Sequence, residues 1–157
     1  WVSAVSGAIE ISVVRSGHTF IPATQILAIK GVELGIPLSG GKLIPDQLFA
    51  IKYPDGYRAF ALEVDRGSEP VRSSMARKSL RHSVEQYRHA LEKRVHQRHF
   101  GLKSNMAVLW VFNSGARQRQ FGELVGKDER RFATCLVHGQ IPRLGDVEVL
   151  GTRLGVL

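Results

Sequence analysis

Residues 43–65 read Leu43-Ile-Pro-Asp-Gln-Leu-Phe-Ala-Ile-Lys-Tyr53-Pro-Asp-Gly-Tyr57-Arg-Ala-Phe-Ala-Leu-Glu-Val-Asp65. Two runs of alternating character flank Pro54-Asp55-Gly56, a strong turn signal. The stretch predicts an antiparallel hairpin centred near residues 55–56. Side chains alternate across a strand, so Phe49, Ile51, Tyr53, Phe60, Leu62 and Val64 share one large apolar face. Asp46, Leu48, Ala50, Lys52, Ala59, Ala61, Glu63 and Asp65 share the other. The symmetric register sets Asp46 opposite Asp65 and Leu48 opposite Glu63. Direct partners lie ~5 Å apart and diagonal ones ~7–8 Å, so the three carboxylates gather at the open end of the hairpin. Like charges on adjacent strands repel and need compensation. A hard divalent cation such as Mg²⁺ supplies it with oxygen ligands, and a structural alternative stands beside it. Asp46 could cap the loop after Pro45, while Glu63 and Asp65 could pair with Arg58, Arg66 or Arg72. Ala50, Ala59 and Ala61 keep that face small, as a close-packed helix or an approaching substrate backbone requires.

Outward from the hairpin, residues 72–98 carry Leu80, Val84, Tyr87, Leu91 and Val95 on one helical stripe, with a start near Ser68-Glu-Pro70. Arg77, Arg81 and Arg88 fall on one flank of that stripe. Met106–Phe112 is a near-continuous apolar run, as in a buried central strand. Asn113 or Ser114 caps a short helix to about Val125, and Phe132–Val137 is a further strand. On the N-terminal side, residues 3–15 suit a helix better than a strand, His18 to Ala28 reads as a strand bent at Pro22, and residues 35–41 read as a loop. The order is helix, strand, hairpin, long helix, strand, helix, strand. That predicts one α/β domain, residues 1–157, with a mixed sheet covered on both faces.

Composition agrees with a single globular domain. Of 157 residues 43% are apolar, and 22 Lys+Arg against 14 Asp+Glu give a formal charge of +8. A chain of this size needs no disulfide or metal to fold, and the lone Cys135 reads as a buried strand residue in a reducing, cytoplasmic setting. No apolar run reaches the ~20 residues of a membrane span. The start at Trp1 shows no signal peptide, and its missing initiator Met suggests a piece of a longer protein. Between Arg66 and Lys103 ten basic residues face three acidic ones, a net of +7, so most of the excess charge sits in one quarter of the chain. Such a patch points to a polyanion, nucleic acid first, against the plainer reading of a solvated helix face. His82, His89 and His96 recur every seven residues. Without the i, i+4 spacing of a metal-binding pair they read as solvated or nucleic-acid-facing.

The pattern Ile44-Pro45-Asp46, then Ala61-Leu62-Glu63-Val64-Asp65, resembles the PD-(D/E)xK nuclease superfamily. With Arg66-Gly67-Ser68-Glu69 added, it most resembles the replication-relaxation proteins of plasmids and mobile elements. The resemblance implies a restriction-endonuclease-like αβββαβ core and a metal-dependent DNA endonuclease using Mg²⁺ (or Mn²⁺). It implies Asp46 and Glu63 as acidic metal ligands and the carbonyl of Val64 as a third. Glu10 would match an upstream acid on the first helix. The family's third motif residue is usually Lys, and here it is Asp65. Lys78, with Arg77 and Arg66, is the candidate to bring the cation back, since Lys52 lies ~13 Å along the strand. The implied partner is DNA, duplex or branched, with Arg66, Arg72, Arg77, Arg81 and Arg88 on its phosphates and a homodimer as a candidate assembly. The alternative is a degenerate nuclease fold that only binds DNA.

Overall fold

A computed structural model of the chain describes residues 1–67 and 79–137. The expected helix start at residues 68–70, and Arg72, Arg77 and Lys78, lie outside the described residues. Helix α1 (Val2–Arg15) places Val5, Ile9 and Val13 on one buried stripe. It stops where the Ser16 hydroxyl donates to the Val13 carbonyl (2.8 Å) and Gly17 turns left-handed at φ +81°. Strand β1 (Thr19–Pro22) follows, but the expected strand to Ala28 ends there. Pro22 is extended and opens a short helix, α2 (Ala23–Ala28), which buries Ile26. Proline ends the ladder because it has no N–H to donate, and its fixed φ suits a helix entrance. Residues 35–41, expected as a loop, contribute most of a small hairpin, β2 (Ile36–Leu38) with β3 (Gly41–Leu43).

Strands β4 (Gln47–Tyr53) and β5 (Gly56–Asp65) form the expected antiparallel hairpin. Its faces are as read, but the register differs by two residues. Tyr53 pairs with Gly56, leaving Pro54-Asp55 as the two loop residues, and Leu48 meets Ala61. An even shift preserves the faces and changes only who stands level with whom. Helix α3 (Leu80–Glu92) is capped by Ser79, whose hydroxyl accepts from the His82 N–H at 3.1 Å. The expected long helix breaks at Arg94, left-handed at φ +53°, and α4 (Val95–Phe100) restarts. At ~100° per residue an unbroken helix would turn Phe100 about 180° from Leu91, and the break lets both enter the core. It also buries His96, contrary to the exposed side expected for it. Strand β6 (Met106–Phe112) is buried at every residue. Ser114 caps α5 (Gly115–Leu124), and β7 (Ala133–Val137) closes the order.

The central sheet runs β1-β4-β5-β6-β7. The first two pairings are antiparallel, and β5·β6 and β6·β7 are parallel. Helix α1 covers one face, packing on Phe49, Phe60, Leu62 and Leu109. Phe20, Phe49 and Phe60 stack there in sequence, at 5.4 and 5.1 Å between centroids. Residues from α2, α3, α4, α5 and the β2–β3 hairpin cover the other face, where Ala50, Ala59 and Ala61 leave room for Val84, Tyr87 and Ala90 of α3. Five mixed strands flanked by helices are the α/β architecture expected. Among the described residues no helix is long and apolar enough to cross a membrane.

Candidate functional site

The three carboxylates lie where β5 ends, on the α3 face of the sheet or at its margin. The two-residue change of register brings Asp46, just ahead of β4, level with Glu63 instead of Asp65. The Asp46 N–H donates to the Leu62 carbonyl at 3.0 Å. Its Oδ2 accepts from the Val64 N–H at 2.8 Å, a donor that β5 presents beyond the paired end of β4. Asp46 thus seals the strand end, close to the loop-capping alternative.

Glu63 is buried, and its Oε1 accepts from the Tyr87 hydroxyl of α3 at 2.6 Å. Tyr87 has no exposed surface and packs edge-on to Trp110, 5.5 Å between centroids, in the strand beside Glu63. Burial holds the Tyr87 phenol well above its usual pKa, and the charges of Glu63 and Asp46 push it the same way. The phenol therefore stays protonated and serves as a fixed donor to Glu63. Glu63 lines a cavity of about 340 Å³ together with Lys42, His82, Ser83 and Gln86.

Asp65 points elsewhere. The Arg117 guanidinium of α5 reaches it with Nε at 2.5 Å from Oδ2 and Nη2 at 3.5 Å from Oδ1. Both side chains are nearly enclosed. The Gly67 N–H also donates to Asp65 at 3.0 Å, and the Asn113 amide holds the Arg66 carbonyl at 2.7 Å. Gly67 is left-handed at φ +82°, and a Cβ there would come 3.2 Å from the Asn113 amide. The loop after β5 is thereby latched to the start of α5.

The structure brings Asp46 and Glu63 together and gives Asp65 to Arg117. Among the described residues no three His, Cys, Asp or Glu side chains are grouped to hold a metal ion. Among the described residues, the groups bonded to these carboxylates include the Arg117 guanidinium, the Tyr87 hydroxyl and the Val64 and Gly67 N–H groups. Val64 contributes its N–H to Asp46. Glu10 is exposed on α1, across the sheet, and does not join the others. Lys52 stands over the Tyr57 ring near the hairpin turn, far from the carboxylates as expected. Arg66, Arg81 and Arg88 are exposed, and Arg81 pairs with Glu85 at 3.1 Å. Cys135 lies on β7 and is half-buried rather than buried as expected, and that burial raises its thiol pKa.

Sequence reasoning missed Arg117, Tyr87, Gln86 and Lys42 at this site. Tyr87 carried a signal: its stripe packs on the face that carries Glu63. Arg117 carried none, since 52 residues separate it from Asp65.

Comparison with known families matches residues 16–106, well over half of the chain, to replication-relaxation. The chain belongs to the replication-relaxation family. The matched segment runs from the end of α1 to the first residue of β6 and contains all three carboxylates, α3 and α4. Arg117 lies outside it, so the family segment ends before the residue that neutralises Asp65. No curated protein and no solved structure matches the chain.

Proposed function

We propose that this replication-relaxation protein is a DNA-binding component of plasmid or mobile-element replication. Its nuclease-like sheet carries an acidic corner that acts as scaffold. The observation that carries the reading is the basic surface after the acidic strand. Arg81, Arg88, Lys93, Arg94, Arg98 and Lys103 are all exposed, against Glu85 and Glu92, a net of +4 on α3, α4 and the loop that follows. Arginine and lysine on one exposed surface attract phosphates and release their counterions. The element order α1, β1, β4, β5, α3, β6 supports a restriction-endonuclease-like core. The internal partners of Asp46, Glu63 and Asp65 support a scaffold role for the corner.

A second reading, a Mg²⁺- or Mn²⁺-dependent DNA endonuclease, is favoured by one observation: Asp46 and Glu63 stand level, and Glu63 is among the residues lining a cavity. Asp46, Glu63 and the Val64 carbonyl would hold the cation, a hard oxygen donor set of the right type. Asp65 would not take part, because Arg117 occupies it. The bound cation would supply activated water for phosphodiester hydrolysis.

Both readings are tested by following DNA binding against salt, and plasmid nicking with Mg²⁺ or Mn²⁺, in the protein, Asp46→Asn and Glu63→Gln. The first reading expects salt-sensitive binding in all three and no nicking. Nicking that both substitutions abolish would establish the second reading and overturn the first.

A further inference from the structure

At the opposite end of β5 a second cavity, of about 620 Å³, opens between the start of β5, the end of α3 and the loops ahead of β6 and β7. Arg58, Arg88 and Arg131 line it, from three elements far apart in sequence. Arg58 is the third residue of β5, seven residues before Asp65, so the cavity lies ~23 Å along the strand from that ion pair.

The charges here are incompletely answered. Two carboxylates share the cavity, Asp128 and Glu92. Asp128 is engaged with Arg131 at 3.7 Å. Arg88 and Glu92 are four apart on α3, yet among the described residues neither Arg58 nor Arg88 forms an ion pair. The Arg58 Nη1 is fully enclosed and has no hydrogen-bond partner among the described residues. The hydroxyl of Tyr53, near enough for the Arg58 charge to act on it, is likewise enclosed and unpartnered. That Arg58 nitrogen lies on the Tyr53 side of the sheet and does not itself face the cavity, so what the cavity offers an acceptor is the set of arginines bordering it, Arg58, Arg88 and Arg131. Three guanidinium groups against two carboxylates leave +1, the charge that one phosphodiester neutralises. The guanidinium fork matches a phosphate's paired oxygens. Ser104 and Asn105 add polar side chains on the same wall.

We infer that this cleft is a phosphate-binding site, with Arg58 and Arg88 as its principal ligands and the DNA backbone as the source of the phosphate. The inference rests on the DNA-binding reading for that source, and on the cleft alone for the phosphate chemistry.

The test uses Arg58→Gln, Arg88→Gln and the double variant, with thermal unfolding to confirm that each is folded. Arg58→Lys and the exposed Arg88→Gln decide the matter if Arg58→Gln fails to fold. One probe is a short fluorescein-labelled DNA duplex titrated at several salt concentrations. The other is inorganic phosphate, followed by the amide resonances of residues 104–107. The expected result is DNA binding weakened on the order of tenfold or more in the double variant, with a salt slope reduced by about 1 to 2. Phosphate should shift the amides of the protein and not those of the double variant. An arginine-dependent phosphate response in a protein that does not bind DNA would overturn the DNA reading while keeping the cleft, with a free nucleotide as the source. DNA binding without any arginine-dependent phosphate response would overturn the cleft and leave the DNA reading standing.

Discussion

The two ends of β5 hold charge in opposite ways. At the C-terminal end Glu63 and Asp65 are buried, with Asp46 beside them, and each has a partner from the protein itself. At the N-terminal end Arg58 and Arg88 border a cavity, and an enclosed guanidinium nitrogen has none among the described residues. The first joins the sheet to α3 through Tyr87 and to α5 through Arg117, the arrangement from which the scaffold role is proposed. The second leaves arginines around an open cavity with fewer carboxylates than guanidinium groups, the arrangement from which the phosphate site is proposed. A cluster of carboxylates in a sequence marks a place of high electrostatic stakes. Only the partners show whether that place does chemistry or holds the fold.

The strongest way to break the comparison is to remove Arg117. Arg117→Ala leaves Asp65 enclosed and unpaired, and should lower stability by about 3–5 kcal/mol in urea unfolding. A loss under about 1 kcal/mol would mean that the acidic end is not held internally. Tyr87→Phe, which keeps the packing on Trp110 and deletes the donor to Glu63, should cost about 1–3 kcal/mol by the same assay. An unchanged midpoint would place the phenol outside the scaffold.

A smaller effect is read by pH. His96 is buried between α3 and the core, with Nδ1 3.2 Å from the Ala90 carbonyl, and burial lowers its pKa below 6.5. The unfolded chain therefore takes up the proton first as pH falls. The stability from neutral His96 is full above about 6.5 and is lost as pH drops through the folded value. His96→Gln should flatten the fall in stability between about pH 7.5 and 5.5. An equal slope in both proteins would assign that fall to other groups. The smallest effect belongs to Arg81, whose exposed pair with Glu85 should contribute no more than about 0.5 kcal/mol. Arg81→Gln should leave thermal unfolding nearly unchanged and weaken DNA binding slightly, and a large loss of stability would show that the surface charge holds the helix.

What sequence conveyed well was periodicity. The alternation in residues 47–65 sorted both faces of the hairpin correctly, and the apolar run Met106–Phe112 marked a strand buried at every residue, beside the central β5. Register was less readable, because Pro54-Asp55-Gly56 admits a turn centred on either dipeptide. That choice put Glu63 level with Asp46. The break at Arg94 was hidden because the residues around it continue a helical pattern, and only the demand to bury Phe100 ends it. The acidic site was half readable. Its carboxylates announce themselves, but Arg117 arrives from an independent helix on the far side of β6, which no local pattern links to Asp65.

The central claim is that DNA phosphates are met at the arginine end of β5 while the carboxylate end holds the fold. It is tested most directly by measuring one DNA duplex, at one salt concentration, against two double variants. Arg58→Gln with Arg88→Gln should weaken binding on the order of tenfold or more, and Asp46→Asn with Glu63→Gln should leave it within about twofold. With both variants confirmed folded by thermal unfolding, the opposite pattern, binding lost with the carboxylates and kept without the arginines, would contradict the account.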